Sequence, residues 1–401
     1  MKNILFACNY GAPGPNTGGP NRIIFEILFH LEFDEFKMGY LSGHYENLFI
    51  KPGDITNFFN SELGTVQRSR VNLFNKYYLY RTFVSSRIYW DVFLLRNKRR
   101  FSNKTKKLKG FEIIHAHDIF SFYYLRNIDS FKILTVHSKG PARLDIQDYV
   151  GNKKLFPYQI DQINEMEMKS FEMADIVTFP SGYAKSMFLE LNNLDDSPKL
   201  KIIHNGINIE DQDCSGYNIP IIEELKVTGK YDLFILSIAE HVKAKRLDKI
   251  LEIIRYLVYS QRMNPLFLSV GKGPETNNLK SLVKEFQIEK NVLFIPYLNH
   301  SQVICLMKRF DIFLSLSERV IFDMVILEAM ANGMFVVASN EGGNKEIINH
   351  GYNGYLVNSN EECIESILAF EHEIGNRARK DIEEFSAEKM VSKYKRLYLN
   401  G

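Results

Sequence analysis

The sequence predicts an α/β protein composed of two Rossmann-like domains in tandem. Short apolar runs alternate with longer amphipathic segments through most of the chain, which is the pattern of parallel sheets with right-handed crossovers. The alternation stops over Asp211–Lys230, where acids, glycine and one proline follow no clear period, and it then starts again. A length of 401 residues also suits two large domains.

Each half of the chain supplies its own strands and helices. In the first half the predicted helices include Asn21–Leu31 and Tyr158–Met173, and the predicted strands are Asn3–Cys8, Phe36–Leu41, Glu112–His117, Lys132–His137, Asp175–Pro180 and Leu200–His204. In the second half the predicted strands are Leu233–Ile238, Leu266–Val270, Val292–Tyr297, Ile312–Leu316 and Phe335–Ser339, and the predicted helices are Leu247–Ser260, Asn277–Phe286, Gln302–Lys308 and Met324–Ala331. Because open α/β sheets bind ligands at the carboxyl ends of their strands, we expect one cleft shared by both sheets.

The composition is that of an ordinary globular protein, with 45% apolar and 24% charged residues. The start MKNILFACNY shows no signal-peptide pattern, and no apolar run reaches the roughly 20 residues that span a bilayer. Cys8, Cys214, Cys305 and Cys363 are widely separated and form no CxxC pair, so neither a disulfide framework nor a structural zinc site is expected. These features predict a cytoplasmic protein.

The net charge of +2 conceals a strongly basic segment between Val66 and Gly110. This segment has thirteen basic residues and a single acid, Asp91, and aromatic residues lie between the cations. Clustered cations attract anionic lipid surfaces, and aromatic side chains favour the headgroup zone. We expect contact with an anionic membrane surface through Arg96, Lys98, Arg99 and Arg100. The alternatives are a solvated basic helix pair and, less favoured, binding to nucleic-acid phosphates.

Two features of the first half lie where predicted strands end. Gly18 and Gly19 precede the first helix, where a bare backbone can approach a phosphate or a sugar. The spacing is not GxGxxG, which disfavours a dinucleotide site. His115 and His117 share one side of a strand and His137 follows the next strand, but no third residue has the spacing of a metal ligand. We expect no metal site here.

The most informative stretch runs from the strand Ile312–Leu316 into a helix that opens near Phe322–Val325. Backbone N–H groups and the helix dipole at this N terminus favour a diphosphate. Glu328 lies one turn further along, at a distance suited to accepting hydrogen bonds from sugar hydroxyls. The alternative is a glutamate that only covers the helix surface.

Several blocks of the sequence resemble glycosyltransferase family 4, a family of retaining enzymes with the GT-B fold. LEAMANGMFVVASNEGGNKEII resembles the donor-binding segment of the family, and LFLSVGKGPETNNLKSLV, with Gly271, Gly273 and Pro274, resembles its strand–VGxGP–helix block. IIHAHD, ADIVTFPSGYAKSMF, KIIHNGIN, NVLFIPYL and FSAEKMVSKYKRLY match the remaining blocks in order. The resemblance implies two facing Rossmann-like domains with a cleft between them. It places an acceptor-binding domain at 1–212, a linker at 213–230, a nucleotide-sugar-binding domain at 231–380, and a C-terminal helix at 381–401 that packs back on the first domain.

The resemblance also implies roles for individual residues. His137 matches the histidine beside the transferred sugar, Lys245 matches the lysine that binds the diphosphate, and Glu328 matches the glutamate that holds the donor ribose. The remaining matches approach the donor through their backbone or flank it: Gly18, Gly19, Gly271, Phe322, Asp323 and Met324.

Two positions depart from the family pattern, because Glu240 stands where an arginine is common and Val320 stands where the first of two glutamates is common. Lys243 or Arg246 is the candidate replacement for the arginine. Glu318 or Asp323 is the candidate replacement for the glutamate. These departures leave the identity of the donor sugar open.

The implied function is retaining transfer of a sugar from a UDP- or GDP-sugar to a hydroxyl of a glycan or lipid-linked acceptor, in bacterial cell-envelope polysaccharide or glycoconjugate synthesis. No cofactor, metal or nucleic acid is expected, and the protein is expected on the inner face of the plasma membrane. Asp211–Asp213 spells a DxD metal signature but lies in the linker, so we interpret it as chance. The alternative is a non-catalytic GT-B-fold subunit that stabilises another glycosyltransferase. A dehydrogenase is disfavoured because the dinucleotide fingerprint is missing.

Overall fold

The computed structural model describes residues 1–9, 13–14, 19–42, 46–51, 87–102, 107–150, 154–209, 214 and 229–401. These residues form two compact units, which we call unit 1 (Met1–Gly206 with Ala387–Gly401) and unit 2 (Ile207–Ser386). Gly18, the Asp211–Asp213 motif, most of the predicted linker and the basic segment before Arg87 lie outside the described residues.

Unit 1 contains a sheet in the strand order β3-β2-β1-β4-β5-β6-β7, parallel except for the edge pair β2 and β3. The strands are apolar and largely buried, as expected where helices cover both faces of a sheet. Their bounds are β1 (Lys2–Cys8), β2 (Phe36–Ser42), β3 (Glu46–Asn47), β4 (Ile113–Ala116), β5 (Phe131–Thr135), β6 (Ile176–Phe179) and β7 (Leu200–Ile202).

Side-chain caps begin some of the described helices of unit 1. The Asp118 carboxylate accepts hydrogen bonds from the backbone of Phe120 and Ser121, and the Ser181 hydroxyl accepts one from Ala184. The bounds are α1 (Pro20–His30), α2 (Arg87–Phe101), α3 (Ile119–Leu125), α4 (Ala142–Val150), α5 (Pro157–Met173), α6 (Gly182–Asn192) and, at the C terminus, α14 (Ala387–Asn400).

Helix α14 belongs to unit 1 although the chain reaches it from unit 2. It packs against α1, and its Lys395 amine is 2.8 Å from Glu32 and 2.9 Å from Glu35. Its buried Tyr394 and Tyr398 extend to the first sheet. The chain passes from unit 1 to unit 2 between Gly206 and Ile207, and it returns to unit 1 between Ser386 and Ala387. The first and last residues of unit 2 lie side by side, since Ile207 pairs with Ser386 and its N–H donates to the Phe385 carbonyl.

Unit 2 contains a parallel sheet in the order β10-β9-β8-β11-β12-β13. Its strands are β8 (Leu233–Ile238), β9 (Pro265–Val270), β10 (Val292–Ile295), β11 (Ile312–Ser315), β12 (Phe335–Ser339) and β13 (Tyr355–Val357). Its helices are α7 (Leu247–Tyr259), α8 (Thr276–Glu285), α9 (His300–Met307), α10 (Met324–Ala331), α11 (Asn344–Ile347), α12 (Asn360–Leu368) and α13 (His372–Asp381). Short 3-10 helices lie at Lys243–Lys245 and Ile382–Phe385.

The predicted class, two α/β domains with parallel sheets, is confirmed. Each predicted strand is present, with ends that differ by up to two residues. The prediction missed the edge strands β3 and β13, which are only two and three residues long.

The structure contains one disulfide that the scattered cysteines do not indicate. Cys214 and Cys305 are joined by a disulfide within unit 2, with their Cα atoms 5.5 Å apart. They are 91 residues apart in sequence, so their spacing carries no signal, and the disulfide joins Cys214 to Cys305 on α9. Cys8 and Cys363 are buried thiols outside this disulfide.

Candidate active site

Lys245 lies in the segment that follows β8 in unit 2. A 3-10 helix, Lys243–Lys245, ends at Arg246, whose φ of 48° lets the chain turn into α7. Lys245 is partly exposed, and its side chain has no hydrogen bond or ion pair within the described part of the chain. The Arg246 Nε lies 3.6 Å from the Glu318 Oε1, and Glu240 is exposed. A free cation therefore stands at the carboxyl end of a central strand.

The glycines of the GKGP motif hold the β9 loop against the β8 loop. A Cβ on Gly271, which has a φ of 143°, would lie 1.9 Å from the Ala239 carbonyl oxygen. A Cβ on Gly273 would lie 2.4 Å from the His241 carbonyl oxygen. No other residue fits at these close contacts. The structure therefore explains Gly271 by the packing of the two loops, before any contact with a donor is considered. The buried His241 ring lies between Thr276 Oγ1 at 2.9 Å and Ser269 Oγ at 3.1 Å, which fixes the loop from inside.

The loop between β11 and α10 is held in a similar way. The Gly343 N–H donates to the Val320 carbonyl at 3.1 Å, and a Cβ on Gly343 would lie 2.1 Å from the Ile321 carbonyl. Val320 and Phe322 are both buried. Asp323 is the N-cap of α10, and its carboxylate accepts a hydrogen bond from the Val325 N–H at 3.4 Å. Asp323 therefore already has a local partner.

Glu328 is held by a residue that the sequence interpretation missed. The His300 Nε2 lies 2.8 Å from the Glu328 Oε1, and both side chains are largely but not fully buried. His300 is the first residue of α9, directly after the N-cap Asn299, which forms a capping box with Gln302. The contact joins two helices across 28 positions of sequence. The capping box could have located the start of α9, but no local pattern reveals the partner of His300.

Three histidines meet at the carboxyl ends of β4 and β5 in unit 1. The His117 Nδ1 lies 3.0 Å from the His137 Nε2, and the two rings stack at 5.3 Å between centroids. The His115 ring lies 4.2 Å from the His117 ring, centroid to centroid. His115 and His117 are fully buried, whereas His137 is partly exposed.

All three histidines are neutral at pH 7, because burial disfavours the charged imidazolium. Burial lowers the pKa of His137 to about 4. Burial, assisted by His137, lowers the pKa of His115 to about 3, and the pKa of His117 falls well below 6.5 for the same reason, assisted by both neighbours. A neutral imidazole can donate or accept hydrogen bonds, so His137 can bind a sugar oxygen without adding charge.

His115 connects this cluster to the C-terminal helix. Its Nδ1 lies 2.8 Å from the Tyr398 Oη, and its Nε2 lies 2.7 Å from the Thr135 Oγ1. Thr135 is in turn 2.6 Å from Thr178, hydroxyl to hydroxyl. Every polar atom of the His115 ring is therefore satisfied.

Gly19 lies at the N terminus of α1 with a φ of 59°, and its carbonyl accepts from the Arg22 and Ile23 N–H groups. Pro20 follows as the first helical residue, and the buried Arg22 pairs with Glu26 at 2.6 Å. The positive φ explains the glycine at position 19. Gly18, its predicted partner at the donor, lies outside the described residues.

Helix α2 carries the basic residues predicted to meet a membrane. Arg96, Lys98 and Arg99 are exposed, and Leu95 is 52% exposed beside them. Arg100 differs, because it is partly buried and burial lowers its pKa. The expectation that the aromatic residues face the headgroups is wrong for Trp90, which is buried against Phe93 and Phe120.

Within the described ranges, no three His, Cys, Asp or Glu side chains are grouped so that they could hold a metal ion. None of the helices in the same ranges has both the length and the apolarity needed to cross a membrane. In unit 2 the candidate residues provide cations, helix N–H groups and a carboxylate, and in unit 1 they provide neutral imidazoles. Such groups bind anions and sugar hydroxyls.

Comparison with known proteins gives two family matches. The model described as Glycosyltransferase Family 4 matches residues 61–211, and the model described as Glycosyl transferases group 1 matches residues 221–388. The two matches together cover most of the chain and fall on the two halves of the molecule.

Three similar proteins illustrate the range of relatives. The N-acetyl-alpha-D-glucosaminyl L-malate synthase of Bacillus anthracis is 33% identical over 173 residues, which span 41% of this chain and only 44% of that protein. The alpha-monoglucosyldiacylglycerol synthase of Acholeplasma laidlawii is 23% identical over 67% of this chain and 69% of its own length. The crystal structure of Anabaena HepE in complex with UDP and glucose matches with a TM-score of 0.66 at 15% identity, covering 100% of both chains. At that identity the structural match shows the fold alone.

Proposed function

Because the chain belongs to the glycosyltransferases of group 1 and family 4, with the GT-B fold, we propose that it is a retaining glycosyltransferase. It transfers a sugar from a UDP- or GDP-sugar to a hydroxyl of a glycan or lipid-linked acceptor, without a bound metal. Unit 2 binds the donor and unit 1 receives the acceptor. The observation that carries the proposal lies at the carboxyl ends of β8 and β11, where Lys245, the N terminus of α10 and Glu328 follow the central strands.

The reaction needs electrostatic stabilisation more than a protein nucleophile. As the bond from the anomeric carbon to the diphosphate oxygen breaks, negative charge develops on the leaving group. The Lys245 ammonium and the N–H groups at the start of α10 stabilise that charge. The acceptor hydroxyl attacks from the same face and gives its proton to the departing phosphate, so the configuration at the anomeric carbon is retained.

Glu328 supports the proposal through its chemistry and its place on α10. Its Oε1 lies 2.8 Å from the His300 Nε2, which orients a carboxylate, and carboxylate oxygens accept hydrogen bonds from sugar hydroxyls. In unit 1, His137 is neutral and partly exposed, so it contributes a hydrogen bond to the transferred sugar and no charge.

The lipid-linked acceptor is proposed from α2. Its exposed Arg96, Lys98 and Arg99 with Leu95 form a cationic face with one apolar side chain, a combination that binds anionic membrane surfaces. The name of the Acholeplasma relative indicates a lipid acceptor for that protein. We therefore place this chain at the inner face of a bacterial plasma membrane, in the synthesis of a cell-envelope polysaccharide or glycoconjugate.

The test begins with a panel of UDP- and GDP-sugars, screened by thermal shift and then by transfer to lipid-linked acceptors, with the anomeric configuration of the product read by NMR. Lys245→Ala and Glu328→Ala should each lower turnover at least about tenfold, or about 1.4 kcal/mol of transition-state stabilisation. Lys249→Ala and Glu252→Ala are matched controls, because these residues pair with each other on α7. Wild-type rates in folded Lys245 and Glu328 variants would exclude this site.

A second function is favoured by one observation. Glu240 is exposed where the family commonly has an arginine, and the buried Val320 replaces a glutamate, so two donor contacts of the family pattern are absent. The alternative is a non-catalytic subunit that stabilises another glycosyltransferase. Purified protein that binds no nucleotide sugar and neither hydrolyses nor transfers one, yet stabilises a partner enzyme, would favour that alternative.

A further inference from the structure

His117 is a buried titratable residue to which the proposed mechanism gives no role. Its side chain follows β4, is 1% exposed, and contacts His137, whose ring follows β5. The distance of 3.0 Å between His117 Nδ1 and His137 Nε2 is that of a hydrogen bond between ring nitrogens. Only one hydrogen atom can lie between them.

Both rings are neutral at pH 7, so each carries one N–H and one lone pair. Two arrangements satisfy the contact. In the first, the His117 Nδ1–H donates to the His137 Nε2, which leaves the hydrogen of His137 on its Nδ1. In the second, the His137 Nε2–H donates to the His117 Nδ1, which places the hydrogen of His117 on its Nε2.

The surroundings of the His117 Nε2 distinguish the two arrangements. This atom is buried and has no hydrogen-bond partner among the described residues. The nearby Asp118 carboxylate accepts from Asn9, Phe120 and Ser121, and both ring nitrogens of His115 have partners. The second arrangement would therefore bury an N–H without an acceptor, which costs about 1–3 kcal/mol and is rarer in proteins than an unused acceptor. The first arrangement leaves only an unused lone pair at this atom, which is the less rare of the two cases.

We propose that His117 is a positioning residue whose Nδ1–H donates to His137 Nε2 and thereby keeps the proton of His137 on Nδ1, where it can donate to an oxygen of the transferred sugar. The identity of the acceptor oxygen rests on the proposed function, whereas the tautomer does not. Which ring nitrogen of a histidine carries the proton is set by the bond that the other nitrogen makes. No described residue bonds the His137 Nδ1, so this donor is available to a ligand.

The packing beneath His117 supports the same role. The His117 and His137 rings are nearly parallel, at 15° to each other. His115 packs against the His117 ring and is itself held at both nitrogens by Tyr398 and Thr135. The orientation of His137 therefore depends on side chains from β4, β5 and α14 rather than on its own loop alone.

The first test uses nitrogen-15 NMR of the histidine rings in the whole ligand-free protein at pH 7. Chemical shifts distinguish protonated from unprotonated ring nitrogens, and His137→Asn assigns the signals of His137. We expect a protonated Nδ1 and an unprotonated Nε2 on His137. A protonated Nε2 on His137 overturns the proposal, whether or not a donor sugar has been found.

The second test compares two variants, with Trp90 fluorescence confirming that each is folded. His117→Asn keeps an amide N–H in place of Nδ1–H, whereas His117→Phe keeps the ring shape without a donor. We expect the phenylalanine variant to lose about 10- to 100-fold in kcat with little change in KM for the donor, and the asparagine variant to stay within about fivefold of wild type. Wild-type kcat in the phenylalanine variant overturns the role. Absence of transfer in the wild type with every donor counts against the proposed function, and the NMR result still decides the tautomer.

Discussion

The only tryptophan of the chain, Trp90, is buried in unit 1 and reports the unfolding of that unit. Among the buried groups of the same unit, three histidines and Glu167 bind protons differently in the folded and unfolded states. Burial lowers the pKa of His115 to about 3 and that of His137 to about 4, and it lowers the pKa of His117 well below 6.5. Burial raises the pKa of Glu167 to about 7. We therefore expect acid to destabilise unit 1 through its histidines and to stabilise it through Glu167.

The magnitudes follow from proton linkage. An unfolded histidine binds a proton below about pH 6.5, whereas the three folded histidines stay neutral, so their contribution to stability is present above pH 6.5 and is lost as the pH falls. From about pH 7.5 to about pH 5.5 the loss is about 1.3 kcal/mol per histidine, or about 4 kcal/mol in total. The folded-state pKa of Glu167 is raised, so its contribution grows as the pH falls, by about 1.8 kcal/mol over the same range. The expected net loss is about 2 kcal/mol of unfolding free energy.

Urea unfolding followed by Trp90 fluorescence at the two pH values measures this loss. Glu167→Gln removes the opposing contribution, so the loss should rise to about 4 kcal/mol. His137→Asn removes one histidine, so the loss should fall to about 1 kcal/mol. His372→Asn is the control, because this histidine is exposed in unit 2. A loss that both variants leave unchanged, or a unit 1 that acid stabilises, would refute the reasoning.

Three further predictions concern function. His300→Ala should raise KM for the donor about 10- to 100-fold, because a hydrogen bond to a charged group contributes about 1.5–3 kcal/mol. His300→Gln should restore most of the lost affinity for the donor. An unchanged KM in His300→Ala would show that His300 does not contribute to donor binding. Transfer should survive EDTA, and complete loss that manganese restores would contradict a metal-independent mechanism. Vesicles with anionic lipid should bind the protein at low salt and release it above physiological ionic strength, where the screening length is about 8 Å. Replacement by serine of three exposed cations on α2, namely Arg96, Lys98 and Arg99, should weaken that binding. Replacement of three exposed lysines of unit 2, namely Lys272, Lys284 and Lys290, is the control and should leave the binding unchanged. Equal binding by both variants would show that α2 does not bind the membrane specifically.

Most of the fold could be predicted because each long strand is a short apolar run with a helix after it. The same reasoning fails where a helix or strand shows no regular alternation of apolar and polar residues. Helix α3 is seven residues long and buries five of them, so it shows no polar face in the sequence. The disulfide between Cys214 and Cys305 joins segments 91 residues apart, and no spacing rule reaches that far.

The candidate site was predictable in part for a related reason. Lys245, Glu328 and His137 stand at strand ends or helix starts and within blocks that resemble a family, so position and motif both indicate them. Their partners are not indicated. His300 reaches Glu328 from another helix, and His117 reaches His137 from another strand, and each contact depends on packing that the local sequence does not encode.

The two units hold their candidate residues by different physical means, and this difference explains which motifs are recognisable. In unit 2 the loops are locked backbone to backbone, where a Cβ on Gly271, Gly273 or Gly343 would lie within 2.4 Å of a carbonyl oxygen. Only glycine permits such approaches, so the constraint is written in the sequence as fixed glycine positions. In unit 1 the constraint is a chain of hydrogen-bonded side chains from Tyr398 through His115 to Thr135, beside the His117–His137 pair. Other side chains of similar shape and hydrogen-bonding capacity could satisfy such a chain, so no single residue type marks it. The histidine cluster therefore has to be found from its geometry, and its members should tolerate amide replacements better than Gly271 tolerates alanine.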